Sequence, residues 1–264
     1  MTNLNLYYFH KRDNFGDLLN TYIPTKLFNC NINSVPIENT EALFIGSILT
    51  AALTKSKPVK PLSRIKIWGT GFIQRPLPNQ FLSRGLEIFA VRGKYTKELL
   101  EKMTHKKYDI PLGDPGLLCS KIYSDEGIEK EYEWGIIPHY IDKDNINLKK
   151  LQLPNSIVLD ICEQPEVFLS KLVKCKKVIS SAMHGLIAAD SYCIPNIRMI
   201  LSDKIVGGDF KYNDYYSAFN ITKHNKIDLR TAKMPIKDLK FDYKITPEQV
   251  KQIQDNLIKS FPYA

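Results

Sequence analysis

Three short stretches carry residue types that can move protons or hold anions. Ser180-Ser181-Ala182-Met183-His184-Gly185 follows an apolar run and opens a helical pattern. Free N–H groups at a helix start favour an anion, and an imidazole there can give or take a proton at neutral pH. The plainer alternative is that a serine caps the helix while His184 packs beneath it. Arg92-Gly93 stands in a similar place after LEIFAV. Its guanidinium could fork to a phosphate or carboxylate, with Gly93 permitting close backbone approach; a helix-start arginine in a surface ion pair is the alternative. Asn14-Phe15-Gly16-Asp17 reads as a tight turn into a helix. Asp17 is either a first-turn carboxylate suited to the helix dipole or a base for a hydroxyl group. Asp190 follows His184 by six residues, off its helical face, so a Ser-His-Asp triad has little support.

Other patterns carry less. Asp142-Lys143-Asp144 matches the DxD of metal-dependent sugar transferases but sits in the charged run IDKDN, where solvated surface is expected. Gly69-Thr70-Gly71 lacks the third glycine of a dinucleotide fingerprint, position 74 being Gln74. No P-loop, HExxH or GxSxG pattern occurs, and no cluster with metal-ligand spacing. Lys174–Lys177 reads as a solvated helix end rather than a nucleic-acid patch.

The elements that must position these groups alternate in type. Leu4–Phe9, Ala42–Gly46, Ile65–Trp68 and Leu86–Val91 read as strands, with helices from about Asp17 to Leu27, over Ser47–Thr54 and over Lys94–Met103. The second half repeats the rhythm, with strands at Trp134–Ile137, Ser156–Ile161, Lys177–Ser181 and Asn196–Leu201 and helices at Pro165–Val173 and Met183–Tyr192. Thr246-Pro247-Glu248-Gln249 is a helix start with Thr as N-cap and Pro in the first position. Such alternation predicts βαβ units and parallel sheets. The charged stretch between Met103 and Leu112 divides two units, residues 1–108 and 109–264, around a cleft. Ligands of such sheets bind beyond the carboxyl ends of the strands. His10 to Asp17, Gly69 to Gly71, Arg92-Gly93, Gly113 to Gly116, Pro138 to Tyr140 and Ser180 to His184 all fall there.

Composition narrows the class. The 264 residues are 44% hydrophobic and 25% charged, as in ordinary globular chains. The longest apolar stretch, Ala42 to Leu53, is too short to span a bilayer, and the first residues lack a signal-peptide pattern. Five cysteines without a CxxC pair argue against a disulfide framework and for a reducing cytoplasm. The net charge of +9 is uneven: residues 1–110 hold sixteen Lys/Arg against eight Asp/Glu. That excess suits an anionic partner for the first unit, whether nucleic acid, lipid headgroup or phosphorylated substrate, although generic solubility would also account for it.

Taken in order, several motifs resemble those of the polysaccharide pyruvyl transferases. They are Asn14 to Asp17, Val91-Arg92-Gly93, Gly113-Asp114-Pro115-Gly116-Leu117-Leu118, Gly135 to Tyr140, and Ile179 to Asn196. The resemblance implies two Rossmann-like domains in the glycosyltransferase-B manner, parallel sheets facing a central cleft, and a pyruvyl group taken from phosphoenolpyruvate. By position His184 matches the family's catalytic histidine and Arg92 its donor-binding arginine. The family's downstream lysine falls on Lys204 by straight counting, or on Lys211 within KYNDY after a seven-residue insertion; Lys211 fits better. Asn14, Gly16, Gly71, Gly93, Asp114, His139, Ser180, Ser181, Met183, Gly185 and Lys204 are the expected substrate-binding set. Cys193 stands where glycine is usual, and Ala182-Met183 where Ser-Leu or Arg-Leu is common.

On this reading Arg92 and Lys211 hold the donor's anionic groups, His184 is the acid and Asp17 serves the acceptor. No metal or other cofactor is expected. The acceptor is a lipid-linked or nucleotide-linked sugar of a bacterial surface polysaccharide. The first unit serves the acceptor and the second the donor, with peripheral contact at the anionic inner face of the cell membrane and no nucleic acid. A nucleotide-sugar glycosyltransferase of similar fold is the first alternative. A non-catalytic basic binding module is the second; it predicts charge without a cleft.

Overall fold

Runs such as NLNL, RIKIW and NIRMI, bounded by Gly, Asn or Pro, form strands, and the helical segments between them permit parallel crossovers. The computed structural model describes residues 1–9, 14–55, 64–233 and 235–263. In chain order the first strands are β1 (Thr2–Leu6), β2 (Cys30–Ser34), β3 (Ala42–Leu43), β4 (Leu53–Thr54), β5 (Arg64–Trp68), β6 (Phe81–Leu82) and β7 (Gly85–Ala90). Helices α1 (Phe15–Phe28) and α2 (Lys94–Thr104) accompany them. Five of these strands make a parallel sheet in the order β2-β1-β3-β5-β7, while β4 and β6 pair antiparallel at one side.

The second half contributes α3 (Cys119–Ile122), β8 (Tyr132–Ile137), β9 (Ser156–Val158), α4 (Pro165–Leu172), β10 (Cys175–Ser180), α5 (Met183–Ser191), β11 (Asn196–Ile200), α6 (Phe210–Ser217), β12 (Lys226–Asp228) and α7 (Pro247–Lys259). Its parallel sheet runs β9-β8-β10-β11-β12. Numbered within its own half, each sheet therefore has the order 2-1-3-4-5. The chain reverses direction across the sheet between β1 and β3 in one and between β8 and β10 in the other. Those are the points where parallel sheets open a crevice.

The α/β class with parallel sheets is thus present, and the expected strands and helices recur with shifted ends. Ser47–Thr54 differs. Instead of an α-helix it forms a 3-10 turn over Ile48–Ala52 followed by β4. Its backbone is drawn onto the turn after β5: Leu49 N donates to Gly71 O at 3.2 Å, and Thr50 Oγ1 accepts from Ile73 N at 3.1 Å. Asp142 is a second correction. It is buried rather than solvated, accepting from Ser202 Oγ at 2.7 Å and so tying two loops beyond the second sheet. Cys193, at the family's glycine position, has φ +54°, the left-handed region that glycine adopts without penalty.

The largest apolar core is continuous between the sheets. It joins Leu4, Leu6 and Phe15 of the first half to Leu117, Phe168, Val178 and Ile187 of the second. Helix α7 carries a full capping box, in which Thr246 Oγ1 accepts from Gln249 N and the Gln249 amide accepts from Thr246 N. It returns to the first sheet. Trp68 Nε1 donates to Leu257 O at 3.0 Å, and Phe261 stacks on Phe28 with centroids 3.7 Å apart. No helix among the described residues is long and apolar enough to cross a membrane.

Candidate active site

Between the two reversal points lies a cavity of about 480 Å³. The segments after β1 and β3 supply Tyr7, Asn14, Asp17, Gly46 and Ser47; those after β8 and β10 supply His139, Tyr140, Met183 and His184; α6 adds Lys211. The part of the first loop at His10 to Asp13 lies outside the described residues.

Asp17 sits in the first turn of α1, where Asn14 is the N-cap and its Oδ1 accepts from Asp17 N at 3.2 Å. The Asn14 amide also donates to the Asp17 carboxylate. Burial pushes that carboxyl up to about 6, against the opposing pull of His184, the Asn14 bond and Lys211. One turn on, Asn20 clamps the end of β3, accepting from Ile45 N at 3.0 Å and donating to Ile45 O at 3.2 Å. The Gly69–Gly71 turn grips the same place, with Thr70 Oγ1 donating to Gly46 O at 2.8 Å.

His184 is in the first turn of α5. Its ring is packed so closely that a Cβ at Gly16 would stand 2.0 Å from Nδ1. Only glycine fits there, which explains a Gly beside Asp17. Nε2 points inward, 3.7 Å from Asp114 Oδ1. Among the described residues, buried His184 Nε2 and Asp114 Oδ2 have no hydrogen-bond partner. Ser180 and Ser181 are buried and engaged: Ser180 Oγ accepts from Ala182 N at 3.0 Å, and Ser181 Oγ accepts from His139 N at 2.8 Å. Burial, then Lys211, holds the His139 imidazole down at about 4, so it is neutral at pH 7.

Lys211 projects from α6 into the cavity and is 8% exposed. Burial and the nearby Arg92 and Arg198 lower its ammonium to about 8, with Asp17 acting the other way. Arg92 does not line the cavity. Its guanidinium is fully buried, donating from Nε to Asp214 Oδ2 at 2.9 Å, from Nη1 to Ser47 Oγ at 2.7 Å and from Nη2 to Phe72 O at 2.6 Å. Asp214 also accepts from Thr96 N at 2.8 Å and Thr96 Oγ1 at 2.7 Å. A Cβ on Gly93 would lie 1.7 Å from Asp214 O and one on Gly71 2.6 Å from the guanidinium carbon, so both glycines serve this buried pair.

Of the residues singled out in the sequence, Asn14, Asp17, His139, Met183, His184 and Lys211 therefore meet at one cavity. Arg92, Asp114, Gly16, Gly71, Gly93, Ser180, Ser181 and Gly185 lie outside its lining, and Lys204 is exposed on the loop after β11. Ser47 and Asp214 escaped the sequence reading. Ser47 directly follows a strand ending in glycine, a signal that was available; Asp214 is hidden in an aromatic run and becomes significant only through its distant partner. Among the described residues no three His, Cys, Asp or Glu side chains gather as a metal site.

A family model described as polysaccharide pyruvyl transferase matches residues 7–203, spanning the cavity loops of both sheets. The chain belongs to the polysaccharide pyruvyl transferase family. Polysaccharide pyruvyl transfer is accordingly its activity class. One relative, an uncharacterized protein of Acanthamoeba polyphaga mimivirus, is 33% identical over 230 residues, covering 83% of this chain and 75% of its own. Another, the succinoglycan biosynthesis protein ExoV of Rhizobium meliloti, is 23% identical over 225 residues, covering 82% of this chain and 65% of its own. Within this pyruvyl transferase the matched segment stops before Lys211, which reaches the cavity from α6.

Proposed function

We propose that the cavity transfers the pyruvyl group of phosphoenolpyruvate to two hydroxyls of a sugar, closing a pyruvate ketal. The observation that carries this is the meeting of a histidine, a carboxylate and an ammonium from both sheets in one cavity. Lys211, cationic at pH 7, holds the donor's phosphate or carboxylate, and the buried Arg92 adds positive potential behind it. His184 protonates the donor's methylene carbon, C3, and C2 becomes electrophilic. A sugar hydroxyl adds to C2 and gives its proton to Asp17, whose carboxyl near 6 leaves it ionised at neutral pH. Phosphate then departs, a second hydroxyl adds to C2, and the ketal closes. Of the two hydroxyl protons released, one replaces that given to C3 and the other leaves with phosphate.

Tyr7, Phe9 and Tyr140 offer aromatic faces along the cavity, suited to stacking a sugar ring. The basic excess of residues 1–110 suits an acceptor carried on a lipid diphosphate at an anionic membrane surface. The test is incubation with phosphoenolpyruvate and lipid-linked or nucleotide-linked sugars, following acceptor mass and free phosphate. Ketal formation with one phosphate released per ketal is expected. Consumption of a nucleotide sugar without phosphoenolpyruvate would instead make the protein a glycosyltransferase.

A further inference from the structure

The buried contact between Asp114 and His184 is not explained by substrate binding, because Asp114 does not line the cavity. Asp114 is wholly buried and precedes the turn Pro115–Leu118, which it caps through Oδ1, accepting from Gly116 N at 2.9 Å. Capping uses one oxygen. The other, Oδ2, has no partner among the described residues, and neither has the buried Nε2 of His184. The oxygen nearest Nε2 is the capping Oδ1, 3.7 Å away, which keeps a lone pair beyond the one facing Gly116, so the buried carboxylate and the unpartnered imidazole nitrogen are complementary. That separation is longer than a hydrogen bond, as such contacts often are before substrate tightens a site.

The glycines packed around the ring show where each of its edges lies. A Cβ at Gly16 would strike Nδ1 at 2.0 Å, and one at Gly116 would touch Cδ2 at 3.4 Å. The Cε1 corner faces Gly46, whose own Cβ position is 3.8 Å off and which lines the cavity. Nε2 is on the side of Asp114, Nδ1 lies against Gly16, and Cε1 faces Gly46 on the cavity wall. The charged groups around the ring are Asp114 behind it, Asp17 on α1 and Lys211 on α6; His139, held near 4, adds none at pH 7.

We propose that Asp114 is the positioning residue of His184, holding a proton on Nε2 so that Nδ1 is the nitrogen that gives its proton to the substrate. The inference rests on the reading of His184 as the proton donor. In the transfer the Nδ1–H bond breaks, the C2–C3 double-bond electrons of phosphoenolpyruvate form the new C–H bond, and the ring is left neutral with its remaining proton on Nε2. Asp114 keeps its negative charge throughout.

The free protein tests this by nitrogen NMR of labelled histidines, with His184 identified by the signal that His184→Gln removes. Neutral His184 in the wild type is expected to carry its proton on Nε2; a proton on Nδ1 overturns the proposal, even if no variant folds. Asp114→Asn retains an oxygen for the Gly116 N–H but removes the charge. It should loosen the hold on Nε2, so that in the neutral ring the proton is shared with Nδ1. It should also lower kcat at least about tenfold while leaving the phosphoenolpyruvate KM within about twofold. A reduced kcat with an unmoved tautomer would mean a structural role only and would overturn the assignment, as would a changed KM at full kcat. The NMR results do not depend on the reaction catalysed, so failure of pyruvyl transfer itself is seen separately, in the incubation with phosphoenolpyruvate.

Discussion

Replacing Lys211 with methionine should make the protein more stable and less active. The side chain is 8% exposed, and burial with two nearby guanidinium groups brings its ammonium from 10.5 to about 8. At about 1.4 kcal/mol per tenfold change, that difference amounts to about 3 kcal/mol of stability withheld from the charged form. The sign follows from proton counts: between about 8 and 10.5 the unfolded chain holds more protons at this site than the fold does. Stability from this group therefore rises with pH across that window, and the full deficit is present below it. Methionine keeps an unbranched side chain one atom shorter and removes the charge. Urea unfolding of wild type and Lys211→Met should differ by about 3 kcal/mol at pH 7 in favour of the variant, and converge by roughly pH 10.5. The difference is the quantity to follow. Buried tyrosines such as Tyr212, raised from 10.0 to about 12, lower the stability of both proteins from about pH 10 upward. Loss of a charge-assisted contact to the donor should raise the phosphoenolpyruvate KM by about tenfold or more. A variant no more stable than wild type at pH 7 would refute the argument, because the ammonium would then be adequately solvated where it stands.

His184→Gln should lower turnover by about two to four orders of magnitude in steady-state assays while thermal unfolding changes little, as expected of a lost general acid. Arg92→Ala leaves Asp214 charged and unpaired in the interior, and chemical denaturation should register a loss of about 3–5 kcal/mol. Arg92→Lys should fall between, since one ammonium cannot serve Asp214, Ser47 and the Phe72 carbonyl together; equal stability of all three proteins would contradict this. Gly16→Ala forces the His184 ring aside and should reduce kcat about a hundredfold, the scale of a misplacement of about 1 Å. Full activity in that variant would place the reacting proton elsewhere than on His184.

Much of the local structure was legible because it is written in short-range signals. The Asn14 cap, the Thr246 capping box and the apolar runs of β5, β8 and β10 are each decided within a few residues. Strand β2 escaped because CNINS is polar at alternate positions. It lies at an edge of the sheet, where Asn31 Nδ2 donates to Asn3 Oδ1 at 2.9 Å. Helix α6 escaped for the opposite reason, with tyrosines on several sides and Lys211 and Asp214 buried among them. The grouping of Asp17 and His184 was suggested by their common place beyond strand ends and by resemblance, and that of Lys211 by resemblance alone. What no local pattern could supply was the division of labour between cations: Arg92 is committed to a partner 122 positions later, while Lys211 faces the cavity. Asp142 was misjudged because its neighbours in IDKDN are exposed, whereas its partner Ser202 is remote in sequence.

The return of α7 to the first sheet bears on how the chain is born. Trp68 and Phe44 lie on the half that leaves the ribosome first, yet their contacts with Leu257 and Phe261 come from residues made about two hundred positions later. Until then the nascent first sheet must keep an indole and several aromatic rings without their final cover, a state open to aggregation and to chaperone capture. Such long-range closure also slows folding, since the loop entropy is lost before the contact forms. The last helix thus acts as a late latch, and synthesis rate through the second half sets how long that surface remains uncovered.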